Sequence, residues 1–244
     1  MKRVKLVVAY DGSTYHGWQI QPGASTIEGE LNKALSELLQ EEIQVIGASR
    51  TDSGVHALCN VAVFDTKSRI PAEKISYALN QRLPEDIRIQ ESVEVEADFH
   101  PRHCNSRKTY EYRILNRPFP LPTKRLYAHF TYVPMNIEMM QAAADYLVGE
   151  HDFKSFCGNP KMKKSTVRLV DSITIEQNRD RIHFTFHGTG FLQNMVRILV
   201  GTLLEVGRGY WDVDYVQTIL EAKDRKLAGP TAPPEGLCLM KVDY

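Results

Sequence analysis

The alternation of hydrophobic and polar positions along the chain predicts two successive series of strands and helices. In the first series, the period-two pattern of residues 2–10 predicts a strand, and the apolar stripe of residues 27–39 predicts an amphipathic helix. Ser25 followed by Glu28 has the spacing of a capping box, which we expect to begin this helix. The other elements expected in this series are strands at 43–46, 61–64 and 87–95 and a helix from Pro71 to about Leu83.

The second series follows residue 105. Aromatic and charged positions alternate over residues 109–115, as in a half-buried strand, and Asn136 is expected to cap a helix that ends near Val148. The remaining expected elements are a hairpin of 167–176 with 181–187, helices at 191–206 and 213–222, and a last strand at 237–242. This mixture of hairpins and helices favours an α+β fold with mixed or antiparallel sheets. The similar order of elements in the two halves predicts two related domains, 1–104 and 105–244.

Composition narrows the class of protein. Hydrophobic residues make up 43% and charged residues 25% of the chain, which argues against a disordered or fibrous protein. No segment approaches the roughly 20 apolar residues of a membrane span, and the apolar run at the N-terminus is too short for a signal peptide. The four cysteines include no Cys-x-x-Cys pair, and the histidines do not have metal-ligand spacing. We therefore expect a cytoplasmic protein without a membrane segment, a disulfide framework or a bound metal.

Positive charge is concentrated in two stretches, although the formal net charge of the chain is zero. The first stretch, residues 101–125, contains one acidic residue, and the second, residues 154–168, contains none. Their basic residues are Arg102, Arg107, Lys108, Arg113, Arg117, Lys124 and Arg125 in the first, and Lys154, Lys161, Lys163, Lys164 and Arg168 in the second. Each stretch alone could be a solvated face, but two of them in a neutral protein favour a phosphate-binding surface.

A single carboxylate stands out in the segment GASRTDSGVHA, residues 47–57. Asp52 follows Arg50 in a loop with flanking glycines, and a nearby arginine would keep the carboxylate ionised and able to act as a nucleophile. The alternative is an ordinary turn, because Asp, Ser and Gly are good turn residues. The arginine before the aspartate and the ordered run after it favour a chemical site.

Two further side chains could belong to the same site. Arg197 lies within the apolar segment GFLQNMVRILVG, and a buried arginine there would need an anionic partner such as Asp52. The alternative, which periodicity does not exclude, places Arg197 on the solvated side of a helix. Tyr110 and Tyr112 would share one face of a strand, where they could pack in the core or offer a ring on which a nucleobase stacks.

The chain resembles the tRNA pseudouridine synthase A family. The similarity extends almost from end to end, and its most specific motif is SRTDSGVHA at 49–57. The other motifs are YDGSTYHGWQIQP at 10–22, DFHPRHCNSRKTYEYRI at 98–114, HDFKSF at 151–156, GFLQNMVRILVGTLLEVG at 190–207 and APPEGLCLMKVDY at 232–244. Ordered motifs over this length make a chance match very improbable.

This resemblance implies an enzyme that isomerises uridine to pseudouridine in the anticodon stem-loop of tRNA, typically at positions 38 to 40. Asp52 matches the essential aspartate, and Tyr110 matches the tyrosine that stacks on the flipped uracil. Arg197 matches the arginine that pairs with the aspartate, and Arg50 matches one that assists flipping. The family implies a homodimer whose subunits have two α+β halves around a central sheet, a basic cleft between the halves, and no cofactor or metal, because the isomerisation involves no redox change.

Several features leave alternatives open. Ser49 and Ser53 stand where the family more often has Gly and Ala, and Gln193-Asn194 replaces paired histidines. The segment 157–168 also differs from the common pattern, which bears on the choice of tRNA position. A catalytically inactive tRNA-binding or RNA-folding module would keep the same fold. A glycoside hydrolase would need a second cooperating carboxylate, and the Asp52 loop offers none. The sequence does not choose between attack on ribose carbon 1 and abstraction of the 2′ proton.

Overall fold

The computed structural model describes residues 1–159 and 161–244. The chain forms two compact units, the first made of residues 1–106 with 238–244 and the second of residues 107–237. Each unit has its own β-strands and α-helices, which confirms the α+β class expected from the sequence. The domain boundary expected between residues 104 and 105 stays a prediction.

The first unit is built on an antiparallel sheet. Its elements in chain order are β1 (Lys2–Tyr10), α1 (Ile27–Leu39), β2 (Ile46–Gly47), β3 (His56–Thr66), α2 (Ala72–Leu79) and β4 (Ile87–Val95). Strand β1 pairs antiparallel with β3 on one side and with β4 on the other. The short strand β2 pairs antiparallel with β3 near its end. The last strand of the chain, Leu237–Asp243, pairs in parallel with the beginning of β3.

The second unit contains strands whose pairings are mostly antiparallel, and its described residues form three α-helices. Its elements are β5 (Arg107–Asn116), β6 (His129–Thr131), α3 (Ile137–Asp145), β7 (Gly149–Asp152), β8 (Val167–Asn178), β9 (Arg181–Gly188), α4 (Met195–Gly207) and α5 (Tyr215–Ala222). The last strand of the chain is therefore β10. Strands β8 and β9 form a hairpin. Strand β9 also pairs with β5, and β8 also pairs with β7, and all three pairings are antiparallel. Strand β6 adds to β5 in parallel.

Burial follows the predicted periodicities. Alternate residues of β1, namely Val4, Leu6 and Val8, are fully buried, and the period-two pattern of β5 buries Tyr110, Tyr112 and Ile114. In α1 the buried positions recur at helical spacing, as in an amphipathic helix with one face toward a core. Helix α4 is different, because nearly all of its residues are buried. A helix that is apolar on all sides belongs inside a core.

Helix α4 can lie this deep because its own glycines let neighbouring residues come close. A β-carbon on Gly201 would lie 1.8 Å from the carbonyl oxygen of Pro230, and one on Gly207 would lie 2.6 Å from the sulfur atom of Met140. The backbone N–H of Gly229 also donates to the Thr202 hydroxyl at 3.0 Å. Side chains larger than hydrogen at these glycines would push the helix away from its neighbours.

Most predicted elements are confirmed, and the errors lie at their ends. The α1 cap is Thr26 rather than Ser25, because the Thr26 hydroxyl accepts the Gly29 N–H at 3.3 Å while Glu28 accepts from Ile20. Residues 43–45 are not in a strand, because two of their backbone N–H groups donate to side chains of α1. These bonds are Ile43 to Ser36 at 3.0 Å and Val45 to Asn32 at 2.8 Å.

Three predicted helices were too long. Helix α2 ends at Leu79, because the Asn80 side chain instead forms two hydrogen bonds of 2.8 Å with the backbone of Ile89. Helix α4 begins at Met195 rather than at 191, since Asn194 has a left-handed backbone with φ of 58°. Helix α3 has the predicted cap at Asn136 but ends at Asp145.

Among the helices of the described residues, none is long and apolar enough to cross a membrane.

Candidate active site

Asp52 lies in the loop that connects β2 to β3. Its side chain is half-buried, whereas Arg50 is exposed. The Val55 N–H donates to the Asp52 carbonyl oxygen at 3.2 Å, which closes a tight turn, and Gly54 takes a positive φ of 78° within it. Glycine is the residue best suited to this position. The turn alternative was therefore correct for the backbone, and this turn is what presents the Asp52 side chain.

The residues before Asp52 are fixed by a buried polar group. The fully buried Asn60 side chain donates to the Ser49 carbonyl at 3.0 Å and accepts the Ser49 N–H at 3.2 Å. The Thr51 hydroxyl lies 2.8 Å from the Tyr10 hydroxyl, which also accepts from Asn60 at 3.2 Å. Buried polar groups that satisfy one another in this way favour one backbone geometry over others.

The residues on both sides of Asp52 are also held by the segment between β1 and α1. The Trp18 N–H donates to the Thr51 carbonyl at 3.0 Å, and the Gly54 N–H donates to the Tyr15 carbonyl at 3.2 Å. A β-carbon on Gly12 would lie 2.0 Å from the Val55 carbonyl oxygen, so the two backbones are in direct contact. The motif YDGSTYHGW therefore shapes the Asp52 loop, a role that the sequence analysis did not assign.

Arg50 is accompanied by a second cation. Partial burial lowers the pKa of the Arg102 guanidinium, and the nearby positive charge of Arg50 lowers it further, while Glu28 acts in the opposite direction. Arg102 nevertheless remains protonated at neutral pH. Two cations close to one another attract a polyanion, so this part of the first unit is suited to hold a phosphate. The ion pair expected between Arg50 and Asp52 stays a prediction.

In the second unit, the two tyrosines of β5 have different surroundings. Tyr112 is fully buried and its hydroxyl donates to the Pro233 carbonyl at 2.8 Å. Burial raises the pKa of Tyr112, which keeps the phenol protonated. Tyr110 remains 8% exposed and packs edge-to-face against Phe191, with ring centroids 5.3 Å apart. Tyr112 is thus a core residue, and the stacking role stays a prediction for Tyr110.

Arg197 lies in the first turn of α4 and is half-buried. Its Nε donates to the Ala232 carbonyl at 2.7 Å, and its Nη1 donates to the Asn194 side-chain oxygen at 3.2 Å. The structure therefore does not place Arg197 on a freely solvated helix face. Asn194 accepts this bond from the guanidinium and has a left-handed backbone at the helix cap, which asparagine tolerates. The pairing of Arg197 with Asp52 stays a prediction.

The two basic stretches are not equivalent. In the first, three arginines pair with acids: Arg107 with Asp171 at 2.8 Å, Arg113 with Glu111, and Arg117 with Asp180 at 3.4 Å. In the second, Arg168 is half-buried, and burial lowers its pKa. Its guanidinium donates to the backbone carbonyls of Ser165 and Val167 rather than to a carboxylate.

Lys161, Lys163 and Lys164, close to Arg168 in sequence, are exposed. The second stretch therefore carries more positive charge that is available to a phosphate than the first does. The cleft expected from the resemblance stays a prediction.

The chain is similar to known proteins over its full length. Residues 6–103 and 143–244 match the sequence model of a protein family described as tRNA pseudouridine synthase. Relatives called tRNA pseudouridine synthase A occur in Thermoanaerobacter sp. strain X514 and in Acetivibrio thermocellus. They are 51% and 46% identical to this chain over 244 residues, and each match covers 100% of both sequences. A Clostridium perfringens relative called tRNA pseudouridine synthase A 2 is 44% identical with the same coverage.

The family match covers both the segment that contains Asp52 and the segment that contains Arg197. Together with the identities above, it leaves no doubt about ancestry. This chain belongs to the tRNA pseudouridine synthase family.

Proposed function

We propose that this chain isomerises uridine to pseudouridine in tRNA, with Asp52 as the catalytic group. The observation that carries the proposal is the geometry of the Asp52 loop. Its backbone is fixed on one side by Asn60 and on the other by the segment 12–18, and Asp52 itself is half-buried. A reactive group held in this way needs little reorganisation when it meets its substrate. Family membership supplies the reaction.

The chemistry can be written in either of two ways that Asp52 could support. In the first, the carboxylate attacks C1′ of the ribose and the N1–C1′ bond breaks, after which the uracil turns and C5 displaces the ester. In the second, the carboxylate removes the 2′ proton as the N1–C1′ bond breaks, and the proton returns to C2′ as C5 bonds to C1′. Both routes end with loss of the C5 proton and protonation of N1. Neither changes the oxidation level, so no redox cofactor is required.

The other predicted residues act on the nucleotide rather than on the bond that breaks. The uridine must leave its stack, which costs a few kcal/mol. Tyr110, backed by Phe191, offers a ring edge or face for the displaced base, and Arg50 with Arg102 offers charge for the neighbouring phosphates. We assign Arg197 to the charge balance of the carboxylate. The target expected from the resemblance is the anticodon stem-loop, at positions 38 to 40.

We further propose that the protein works as a homodimer in the cytoplasm. The family resemblance supports the dimer, and a tRNA substrate together with four free cysteines supports a reducing compartment. Sedimentation of the purified protein would measure the number of subunits. A monomer that is fully active at its assay concentration would contradict the dimer.

The test uses an unmodified tRNA transcript and three proteins: wild type, Asp52→Asn and the control Glu37→Gln, which changes an exposed acid on α1. We expect wild type and the control to form pseudouridine, and Asp52→Asn to bind the tRNA without forming product. Mapping the product reports which uridine is modified. Pseudouridine formation by Asp52→Asn would contradict the role of Asp52, and tRNA binding by an inactive wild type would favour the RNA-binding alternative.

A further inference from the structure

Tyr15 connects the Asp52 loop to a second carboxylate. Its backbone carbonyl accepts two hydrogen bonds, from the Gly54 N–H and from the Ser53 hydroxyl, each 3.2 Å long. Both donors belong to the two residues that directly follow Asp52. A shift of the Tyr15 backbone would therefore move the turn that presents the Asp52 side chain.

The side chain of Tyr15 is anchored at its other end. The ring is 7% exposed, and its hydroxyl donates to Oδ1 of Asp86 at 2.6 Å. Burial raises the pKa of Tyr15, and the hydrogen bond to Asp86 raises it further, so the phenol remains a donor at neutral pH. A hydrogen bond to a carboxylate is roughly twice as strong as one between neutral groups.

Asp86 is itself fixed by the backbone. It directly precedes β4, and its carbonyl oxygen accepts the Asp11 N–H at 2.9 Å, just after the end of β1. The Tyr15 N–H also donates to the Gly12 carbonyl at 3.0 Å. A continuous set of hydrogen bonds thus leads from the sheet of the first unit, through Asp86 and Tyr15, to the residues after Asp52.

We propose that Tyr15 and Asp86 are positioning residues for Asp52, and that the Ser53 hydroxyl strengthens this connection. The inference rests on the proposed function, since it assigns a role in the same reaction. Tyr15 and Asp86 act through the Ser53 hydroxyl and the Gly54 N–H, not on the uridine. An alanine at position 53 would keep the hydrogen bond from the Gly54 N–H and lose the one from the Ser53 hydroxyl.

The experiment measures the single-turnover rate of pseudouridine formation with saturating enzyme, the tRNA dissociation constant and the melting temperature. The variants are Tyr15→Phe, Asp86→Ala, Asp86→Asn and Ser53→Ala. The control is Thr14→Val, because the exposed Thr14 hydroxyl lies 3.4 Å from the other Asp86 oxygen and does not bond the loop.

We expect Tyr15→Phe and Asp86→Ala to lower the single-turnover rate about 10-fold, with tRNA affinity within about 2-fold of wild type, because small displacements of a catalytic group lower rates strongly. Asp86→Asn keeps an acceptor for Tyr15 and should recover most of the rate. Ser53→Ala, which removes only one hydroxyl, should lower the rate about 3-fold. This variant tests the inference even if Tyr15→Phe does not fold. Thr14→Val should match wild type.

Equal single-turnover rates for Tyr15→Phe, Asp86→Ala, Ser53→Ala and Thr14→Val would overturn the inference, as would a loss confined to melting temperature. Failure of the proposed function looks different. In that case wild type itself would make no pseudouridine, whereas failure of the inference alone leaves wild type active and Asp52→Asn inactive.

Discussion

Gly17 lies so close to Thr51 that a β-carbon on the glycine would be 2.7 Å from the threonine carbonyl oxygen. Gly17 also has a φ of 87°, a backbone conformation that side chains other than hydrogen disfavour. The position therefore combines backbone strain with a steric clash against the residue that precedes Asp52.

We expect Gly17→Ala to lower the free energy of unfolding by about 2–4 kcal/mol, the sum of left-handed strain and overpacking, and to lower activity beyond the loss of folded protein. Gly23→Ala is the matched control, because Gly23 has a φ of 73° but no atom within 4 Å of its would-be β-carbon. For Gly23→Ala the free energy of unfolding should fall by about 1 kcal/mol, and the rate per folded molecule should equal that of wild type. Urea unfolding and a turnover assay on both variants give the comparison, and equal losses of activity would contradict it.

Loss of the hydroxyl group should affect different properties at the two tyrosines of β5: stability at Tyr112 and the reaction rate at Tyr110. Tyr112→Phe leaves the Pro233 carbonyl without its buried donor, so we expect a loss of about 1–3 kcal/mol in stability and an unchanged rate. Tyr110→Phe keeps the ring and its contact with Phe191, so tRNA affinity should hold. If the Tyr110 hydroxyl moves a proton in the reaction, the rate of that variant should fall by about 10-fold or more. Thermal melting and single-turnover kinetics separate the two effects, and a reversed pattern would exchange the assigned roles.

Asp65 makes the stability of the first unit dependent on pH. Arg3 holds it by two hydrogen bonds of 2.8 and 2.7 Å, and this bonding lowers the pKa of the Asp65 carboxyl below its ordinary 3.8. Because the pKa of Asp65 is lower in the folded state, the stabilisation that its carboxylate gives the folded protein is fully present above pH 3.8. This stabilisation is lost as the pH falls through the folded-state pKa of Asp65.

Asp65→Asn should therefore destabilise the protein at pH 7 and make less difference near the folded pKa of Asp65. Urea unfolding of wild type and variant at neutral and acidic pH measures both differences, with Glu37→Gln as the exposed control. A stability difference that does not depend on pH would contradict the prediction.

Arg168 should contribute to tRNA affinity more than a paired arginine does. Its half-buried guanidinium donates to the backbone carbonyls of Ser165 and Val167, whereas Arg113 pairs with Glu111. We expect Arg168→Gln to weaken tRNA binding about 10-fold and to reduce the slope of log affinity against log salt by about 1. Arg113→Gln should change both quantities less. Binding titrations over a range of salt concentrations test this, and equal effects for the two arginines would show that the ion pair with Glu111 makes no difference.

Local patterns predicted the elements well where periodicity and burial agree, as in β1, β4 and the hairpin β8–β9. They failed where a side chain competes for backbone partners. Ser36 and Asn32 take the N–H groups of residues 43–45, and Asn80 ends α2 early by bonding Ile89. Such bonds connect residues that are distant in sequence, so no periodicity within one segment contains them.

The sequence offered a candidate for the reactive group of the site, but it did not indicate the residues that support this group. Asp52 is visible in the sequence because arginine, aspartate and glycine occur together in a motif. Tyr15, Asn60 and Asp86 carry no such signal, since their roles depend on contacts between separate strands and loops. The regular glycines of YDGSTYHGW were the available sign, because two glycines in a short polar segment indicate close backbone approach.

Strand β10 gives the protein an unusual order of assembly. Its pairing partners on β3, His56 and Ala57, come directly after the Asp52 loop, yet Cys238 and Leu239 are near the end of the chain. On the ribosome, the first unit is synthesised long before the strand that completes its sheet. One cut between the units therefore cannot yield a complete first unit, and the loop that carries Asp52 can reach its final surroundings only after residue 239 has been made.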